Sequence, residues 1–353
     1  MSIIAVIIFI SLLILAHEWG HFFAARTLGV RVEEFGFGFP PRLFFRVSNG
    51  VRYSLNLLPF GGFVKIFGEH GEGQQDRASF VSRPAWQRFI ILAAGVGINV
   101  LSAWFLFSAA AVLGLPQIAE DGVSAPVSVI GVMPDSPAEQ AGLKLGDRIL
   151  EMRGGEITLR VEKEQDVIDF VQAYRGEEMT LVVARKDGMV EITALPRAIA
   201  PDGEGPLGIA LGRIVIERVP WFRAPVVGFE SLVQSMSAIV QGLASLAREL
   251  AITGRAPGSV SGPIGILLFA RDSGALGAAY FLQFIGVLSI NLAVLNFLPI
   301  PALDGGRVLF IAIEKIRGRK IAPRVEDTAH MVGFAALILL MLAVTWRDVV
   351  RFW

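Results

Sequence analysis

The sequence predicts an α-helical polytopic membrane protein with about four transmembrane helices, a membrane-associated β-hairpin region and an inserted α+β domain. Three observations predict this class. The 353 residues are 53% hydrophobic and only 18% charged, whereas soluble proteins have about 25% charged residues. The apolar residues form runs long enough to cross a bilayer. Residues 127–211 are instead rich in charges and strand-like segments.

Four apolar segments are predicted to cross the membrane, because a spanning helix needs about 20 mostly apolar residues. The first covers residues 2–25. It has two histidines and a glutamate where a signal peptide would have its cleavage site, so we interpret it as a retained helix. The other three segments are residues 89–115, 278–298 and 331–344.

The distribution of basic residues predicts the orientation of these helices. The connection 26–88 has nine Lys or Arg residues, the connection 301–328 has six, and none precedes the first span. Basic connections stay on the cytoplasmic side of a membrane. We therefore expect the hairpin region to be cytoplasmic, and both termini and residues 116–277 to be extracytoplasmic.

Composition also limits the chemistry. Basic and acidic residues are equal in number, 32 each, which indicates no nucleic-acid partner. The chain has no cysteine, which excludes disulfides and thiolate metal sites. A transition metal must therefore be held by His, Asp or Glu side chains. The four histidines are His17, His21, His70 and His330, and we expect the last two to be ordinary polar residues.

His17, Glu18 and His21 lie in the first apolar segment. Residues four apart on a helix share a face, so both imidazoles can reach one metal ion, with Glu18 beside them as catalytic base. Charges at the centre of a spanning helix cost at least about 2.5–3.5 kcal/mol each, and they normally mark function. If the segment were a soluble helix, the alternative would be that these three residues are ordinary surface residues that bind no metal.

A catalytic zinc ion usually has three protein ligands, and Asp304 is our candidate for the third. It follows the third span, where Pro299 and Pro301 interrupt the helix. Non-helical backbone at membrane depth is tolerated where it lines a buried or wet cavity. An aspartate that only caps a loop is the alternative.

The motifs His17-Glu-Trp-Gly-His21 and Asn296-Phe-Leu-Pro-Ile-Pro-Ala-Leu-Asp-Gly-Gly306 resemble the paired signatures of the site-2 protease family of intramembrane zinc metalloproteases. The resemblance covers essentially the whole chain. Most similar is the bacterial regulator-of-sigma-E type, with a PDZ domain between the second and third spans. It implies a cytoplasmic (inner) membrane protein with one Zn²⁺ held by His17, His21 and Asp304, and Glu18 as catalytic base.

The polar stretch resembles a single PDZ domain, with the helix-and-turn signature at 136–150. Strands are predicted at 127–132, 148–152 and 180–184, and a helix at 161–174. Leu207, Gly208 and Ile209 resemble the loop that captures the C-terminal carboxylate of a peptide. An ordinary loop, or a domain that only excludes substrates by size, are the alternatives.

Residues 42–57 predict a β-hairpin, because Asn49-Gly50 between alternating apolar runs is a type I′ turn signal. The next segment resembles a membrane-associated β-region of the family, whose open edge would pair with an unwound substrate. A purely structural hairpin is the alternative. The segment that would bind substrate is Gly61, Gly62, Phe63 and Val64.

Asn99 in the second span and Asn296 near the end of the third resemble family residues at the active centre that contact the substrate. A small-residue packing face with Gly95, and a helix cap, are the respective alternatives. Residues 226–252 predict an amphipathic helix outside the membrane, and residues 261–266 resemble a family motif with a gating or clamping role. The predicted division of the chain is 1–115, 116–215, 216–277 and 278–353.

The resemblance implies a protease that cleaves single-span membrane proteins within or near their transmembrane helix, such as anti-sigma factors or signal-peptide remnants in a stress response. A site-1-type protease would act first on the same substrate in the bilayer. The main alternative is a non-catalytic scaffold that binds peptides through its PDZ domain and does not need Glu18. A proton-relay transporter would predict repeated spans, and a serine protease would predict a nucleophile motif such as Gly-x-Ser-x-Gly.

Overall fold

The computed structural model describes residues 3–119, 125–185, 188–201, 204–253 and 262–352. They form two compact units, one of Met1–Leu113 with Val219–Trp353 and one of Gly114–Arg218. The α-helices are α1 (Ile3–Thr27), α2 (Ala85–Leu113), α3 (Pro137–Gln140), α4 (Glu164–Ala173), α5 (Ala224–Thr253), α6 (Pro263–Leu276), α7 (Ala278–Phe297), α8 (Asp304–Arg317) and α9 (Pro323–Phe352). The strands are β1 (Val32–Ser48), β2 (Val51–Ile66), β3 (Leu115–Ile118), β4 (Val127–Val132), β5 (Arg148–Gly154), β6 (Ile157–Arg160), β7 (Met179–Arg185), β8 (Gly188–Ala194) and β9 (Ile209–Glu217).

In the described part of the chain, five helices are long and apolar enough to cross a membrane, and the chain is a multi-pass membrane protein. Four of them, α1, α2, α7 and α9, cover the predicted spans, and α9 is longer than its apolar centre because the polar residues on both sides are also helical. The fifth is α5, where the sequence predicted an amphipathic helix. How many of the five cross the bilayer, and on which side each connection lies, stay predictions.

Helices α1 and α2 approach closely because glycines line their contact. A Cβ atom at Gly20 would lie 2.5 Å from the carbonyl oxygen of Ala94, and one at Gly95 would lie 2.4 Å from Nε2 of His21. Small residues allow helix backbones to approach in this way when both helices are apolar all round. The face of α1 that carries the histidines is therefore held directly against α2.

The predicted hairpin is confirmed, and it is longer than expected. Asn49 and Gly50 form its turn with φ values of 48° and 75°, as a type I′ turn requires. Residues 32–37 of β1 pair with two segments of β2, 52–55 and 62–66. The segment 62–66 is thereby at an edge of this sheet, and it lies beside α1.

The unit Gly114–Arg218 is a sheet with the strand order β3-β9-β4-β5-β7-β8, and β6 pairs with β5. The three strands that the sequence predicted are present as β4, β5 and β7. Helix α4 begins later than expected because Lys163 has an extended backbone, and its N–H donates to the carboxylate of Asp166 in the first turn. Buried Asp147 forms an ion pair with Arg185 that connects the turn before β5 to β7.

Helix α8, which begins with Asp304, is held against α2 by a buried ion pair. Arg88 of α2 donates to a carboxylate oxygen of Glu314, and both side chains are about one-tenth exposed. The second Glu314 oxygen accepts the N–H of Ile321, 3.0 Å away. Removing one partner of such a pair leaves a buried charge without compensation.

We expect Arg88→Met and Glu314→Gln each to lower the free energy of unfolding by about 3–5 kcal/mol, as for other broken buried pairs. The double variant Arg88→Met/Glu314→Leu should lose less, because no buried charge is left alone. Thermal unfolding of the detergent-solubilised chain measures this. The control is Glu33→Gln in the exposed Lys65 pair, expected to cost at most about 1 kcal/mol. A double variant less stable than both single variants would contradict the argument.

Candidate active site

The two histidines of α1 face each other across one helical turn. The Nε2 atoms of His17 and His21 lie 3.1 Å apart, and the rings meet edge to face. Both residues are buried, at 6% and 5% exposure. Residues four apart on a helix share one face, so this arrangement follows from their spacing in an unbroken helix.

Asp304 reaches the same point from the other end of the chain. It is the first residue of α8, and its Oδ2 atom lies 3.1 Å from Nε2 of His17 and 3.3 Å from Nε2 of His21. The two residues that follow allow the tight turn before it. A Cβ atom at Gly305 would lie 2.2 Å from the carbonyl oxygen of Leu298, and one at Gly306 would lie 2.4 Å from that of Ile300.

These three atoms fit the ligand set of a zinc ion. In a tetrahedral site with zinc–ligand bonds of about 2.0–2.1 Å, neighbouring ligand atoms are about 3.3 Å apart, and the three observed separations agree with this value. Oδ2 of Asp304 is buried and has no hydrogen bond of good geometry, which leaves its lone pairs for an ion. Among the described residues, this is the one group of three potential ligands whose atoms lie within 4.8 Å of one another.

Glu18 follows His17 in α1 and is not among the three residues that could hold a metal ion. Its Oε2 atom accepts a hydrogen bond of 3.0 Å from the backbone N–H of Val64 in β2. The carboxylate is half-buried, and the Val64 contact leaves the other carboxylate oxygen for a different partner. A carboxylate positioned next to a metal site in this way can accept a proton from water.

Helix α2 contacts both imidazole rings at their Nδ1 atoms. Nδ1 of His21 lies 2.8 Å from the carbonyl oxygen of Ile91 and donates to it, so Nε2 is left for the metal. Nδ1 of His17 lies 3.3 Å from the amide of Asn99, which is fully buried. The Asn99 atom nearest the ring is the amide nitrogen, and the amide oxygen has no hydrogen-bond partner. With the amide turned over, this oxygen accepts the Nδ1–H of His17. Such contacts orient the rings of metal-binding histidines.

The predicted substrate-binding segment of β2 lies along α1 near the ligands. A Cβ atom at Gly61 would lie 3.4 Å from Ile14, and one at Gly62 would lie 3.1 Å from Leu15. Phe63 pairs with Gly36 of β1, whereas the Val64 N–H points to α1. This edge of the sheet therefore presents backbone groups to the side where Glu18 lies.

The two predicted asparagines contact the same histidine on different sides. The Asn296 amide nitrogen lies 3.4 Å from Nε2 of His17, on the side of the ligand atoms. The Asn99 amide lies on the opposite, Nδ1 side. In the structure both asparagines contact His17, a candidate metal ligand. That either of them contacts a substrate stays a prediction.

The predicted PDZ peptide loop lies in the second unit, at the start of β9. Leu207 is buried, and Gly208 has a φ of 73°. The Gly208 N–H donates to the carbonyl oxygen of Gly205, and Ile209 is in register with Val132 of β4. One amide of the predicted carboxylate loop is therefore already engaged, and peptide binding there stays a prediction. Of the predicted clamp motif 261–266, Ser261 lies outside the described residues.

Several contacts of the site were not anticipated from the sequence. The Ile91 carbonyl that orients His21 is a backbone group, and no side chain indicates it. Gly95 leaves space for the imidazole rings. The sequence indicated its importance only weakly, because Gly95 precedes Asn99 by four residues. His330, interpreted as an ordinary polar residue, contacts the segment that precedes Asp304.

Comparison with known proteins supports the chemistry of this site. The profile of Peptidase family M50 matches residues 5–340. A protein of Clostridium perfringens with zinc metalloprotease in its name is 32% identical over 352 residues, 99% of each chain. The zinc metalloprotease RasP of Geobacillus kaustophilus is 28% identical, over 99% of this chain and 98% of its own.

The regulator of sigma-W protease RasP of Bacillus subtilis is 29% identical, over 99% of this chain and 98% of its own. A solved PDZ domain from Listeria monocytogenes is 26% identical over 27% of this chain and 92% of that domain, with a TM-score of 0.21. The family profile and the full-length relatives cover almost the whole sequence. The chain therefore belongs to peptidase family M50 and is a zinc metalloprotease.

Proposed function

We propose that this enzyme cleaves single-span membrane proteins within or near their transmembrane helix. The observation that carries the proposal is the meeting of His17, His21 and Asp304 between helices that are apolar enough to lie in a bilayer. A peptide bond that reaches this point must belong to a chain in or at the membrane. Substrates of this kind include anti-sigma factors, the class suggested by the sigma-W name of the Bacillus subtilis relative, and signal-peptide remnants.

The edge of β2 is the proposed binding site for the substrate. In a helical substrate each peptide group is hydrogen-bonded within the helix, so the scissile bond must first be exposed. An extended chain is held in this form when it adds to an open sheet edge through backbone hydrogen bonds. The segment from Gly61 to Val64 offers such an edge next to Glu18.

Glu18 is the proposed general base. A zinc ion held by His17, His21 and Asp304 would act as a Lewis acid and would lower the pKa of water. Glu18 accepts the proton of the water molecule that attacks the peptide carbonyl, and then passes this proton to the leaving amine. Asn296, whose amide lies on the ligand side of His17, holds the substrate backbone.

The proposed location is a bacterial cytoplasmic membrane, with both termini and the unit Gly114–Arg218 outside and the β1–β2 sheet inside. In this arrangement the outer unit, a PDZ-like domain, meets the external part of each substrate. It excludes substrates with bulky external domains or binds a new C-terminus. An upstream protease of the site-1 type would first remove the external domain.

We expect Glu18→Gln to reduce cleavage of a reconstituted single-span substrate by about 10²–10⁴-fold, the usual contribution of a general base. Zinc content should be unchanged, because the glutamine replaces no ligand. His21→Ala and Asp304→Asn should lose zinc as well as activity, which metal analysis of the purified variants measures. Wild-type cleavage by Glu18→Gln would instead favour a non-catalytic scaffold or another base.

Removing the Val64 N–H should impair catalysis while the metal site stays intact. Val64→Pro lacks this donor, so the substrate strand would lose one of the backbone hydrogen bonds proposed to hold it, and we expect slower cleavage with full zinc content. Val64→Ala is the matched control, because it shortens the side chain and keeps the N–H. Equal activity of the two variants would show that this backbone donor has no part in the reaction.

The absence of cysteine allows a direct test of orientation. Single cysteines at Met189 in β8 and Ile316 in α8 lie at positions that are 75% and 85% exposed. An impermeant thiol reagent added to intact cells should label Met189→Cys and leave Ile316→Cys unlabelled until the membrane is opened. The reverse pattern would invert the proposed topology.

A further inference from the structure

His330 of α9 takes no part in the proposed chemistry, yet it contacts the segment that leads to Asp304. Its Nδ1 atom accepts the backbone N–H of Ala302 at 2.8 Å. Ala302 precedes Asp304 by two residues. The helix near the C-terminus therefore holds the backbone from which the third metal ligand projects.

The backbone hydrogen bonds within this segment come from Ile300 and Leu303, and the residues between them depend on other contacts. Pro299 and Pro301 have no N–H to donate. Ala302 has a φ of 82°, a left-handed conformation that is costly for a residue with a Cβ atom. Such a conformation persists only where surrounding contacts impose it, and the His330 bond satisfies the one backbone donor of this residue.

Helix α9 contacts the segment before Asp304 a second time, at Gly333, about one helical turn after His330. A Cβ atom at Gly333 would lie 2.4 Å from the carbonyl oxygen of Pro301. Residues three apart on a helix lie on one face, so Gly333 and His330 contact neighbouring residues of the same turn. Steric contact and a hydrogen bond thus act on Pro301 and Ala302 together.

The His330 ring also packs on the helix that Asp304 begins. It lies against Phe310 of α8, with ring centroids 5.7 Å apart. Its Nε2 atom is buried and has no hydrogen-bond partner among the described residues. Because Nδ1 accepts a hydrogen bond, the hydrogen of the neutral ring is on Nε2. The ring therefore contacts both the segment before Asp304 and the helix after it.

We propose that His330 is a positioning residue, which holds the Ala302 backbone so that Oδ2 of Asp304 meets the two imidazoles. The inference depends on the proposed role of Asp304 as zinc ligand. Groups that orient metal ligands contribute about 10–100-fold to metal affinity. The predicted effect is therefore on zinc affinity, which can be measured without a substrate.

Zinc affinity of the full-length, detergent-solubilised protein would be measured by competition with a chelator. We expect His330→Leu to bind zinc about tenfold more weakly, the lower end of the range for such supporting groups. His330→Asn should stay close to wild type, because its amide oxygen can occupy the place of Nδ1. His330→Gln, equally polar but with its oxygen farther from the backbone, should resemble His330→Leu.

His70→Leu is the matched control, because His70 is exposed and also contacts α9, through Asp327. Its zinc affinity should not change. If His330→Leu does not fold, the inference is tested by comparing the zinc affinities of His330→Asn and His330→Gln. Equal affinities of these two variants, or wild-type affinity of His330→Leu, would overturn the inference. Tight zinc binding by Asp304→Asn would overturn the role of Asp304 as a ligand. Weak zinc binding by Asp304→Asn, together with wild-type affinity of the His330 variants, would overturn only the positioning role of His330.

Discussion

The structure depends on one close approach, that of α1 to α2. Gly20 and Gly95 remove the side chains that would separate the two helices, and the imidazoles of His17 and His21 occupy the space that Gly95 leaves. Without this approach the rings would have neither the Ile91 carbonyl nor the Asn99 amide behind them. Polar groups of this kind are costly in an apolar environment unless each one has a partner. The glycines thus make the buried polar centre possible.

Each functional group is held by an element distant in sequence. Helix α2 contacts the two histidines, β2 contacts Glu18, and α9 contacts the segment before Asp304. The Arg88–Glu314 pair connects α2 to α8 at the far end of the helix that begins with Asp304. The parts of the centre are therefore fixed relative to one another by the helical unit as a whole, which is how a site remains precise when its ligands are almost three hundred residues apart.

Much of this arrangement was predictable from the sequence. The spacing of His17 and His21 predicts a shared helix face, the prolines before Asp304 predict an interrupted helix, and Asn49-Gly50 predicts the hairpin turn. The contacts that support the site were harder to predict. The Ile91 carbonyl has no side-chain signature, and His330 follows several other polar residues at the start of α9, so the sequence does not distinguish it. Helix α5 combines apolar length with polar positions, so composition alone does not decide its relation to the membrane.

The backbone amide of Val64 has a consequence for the timing of catalysis. A single N–H serves one acceptor well, and here that acceptor is the carboxylate of Glu18, the proposed base. A substrate strand that accepts a hydrogen bond from Val64 must displace Glu18. Both carboxylate oxygens of Glu18 are then free. In the proposed mechanism, substrate binding and release of Glu18 therefore occur as one event, and without substrate this carboxylate stays hydrogen-bonded to Val64.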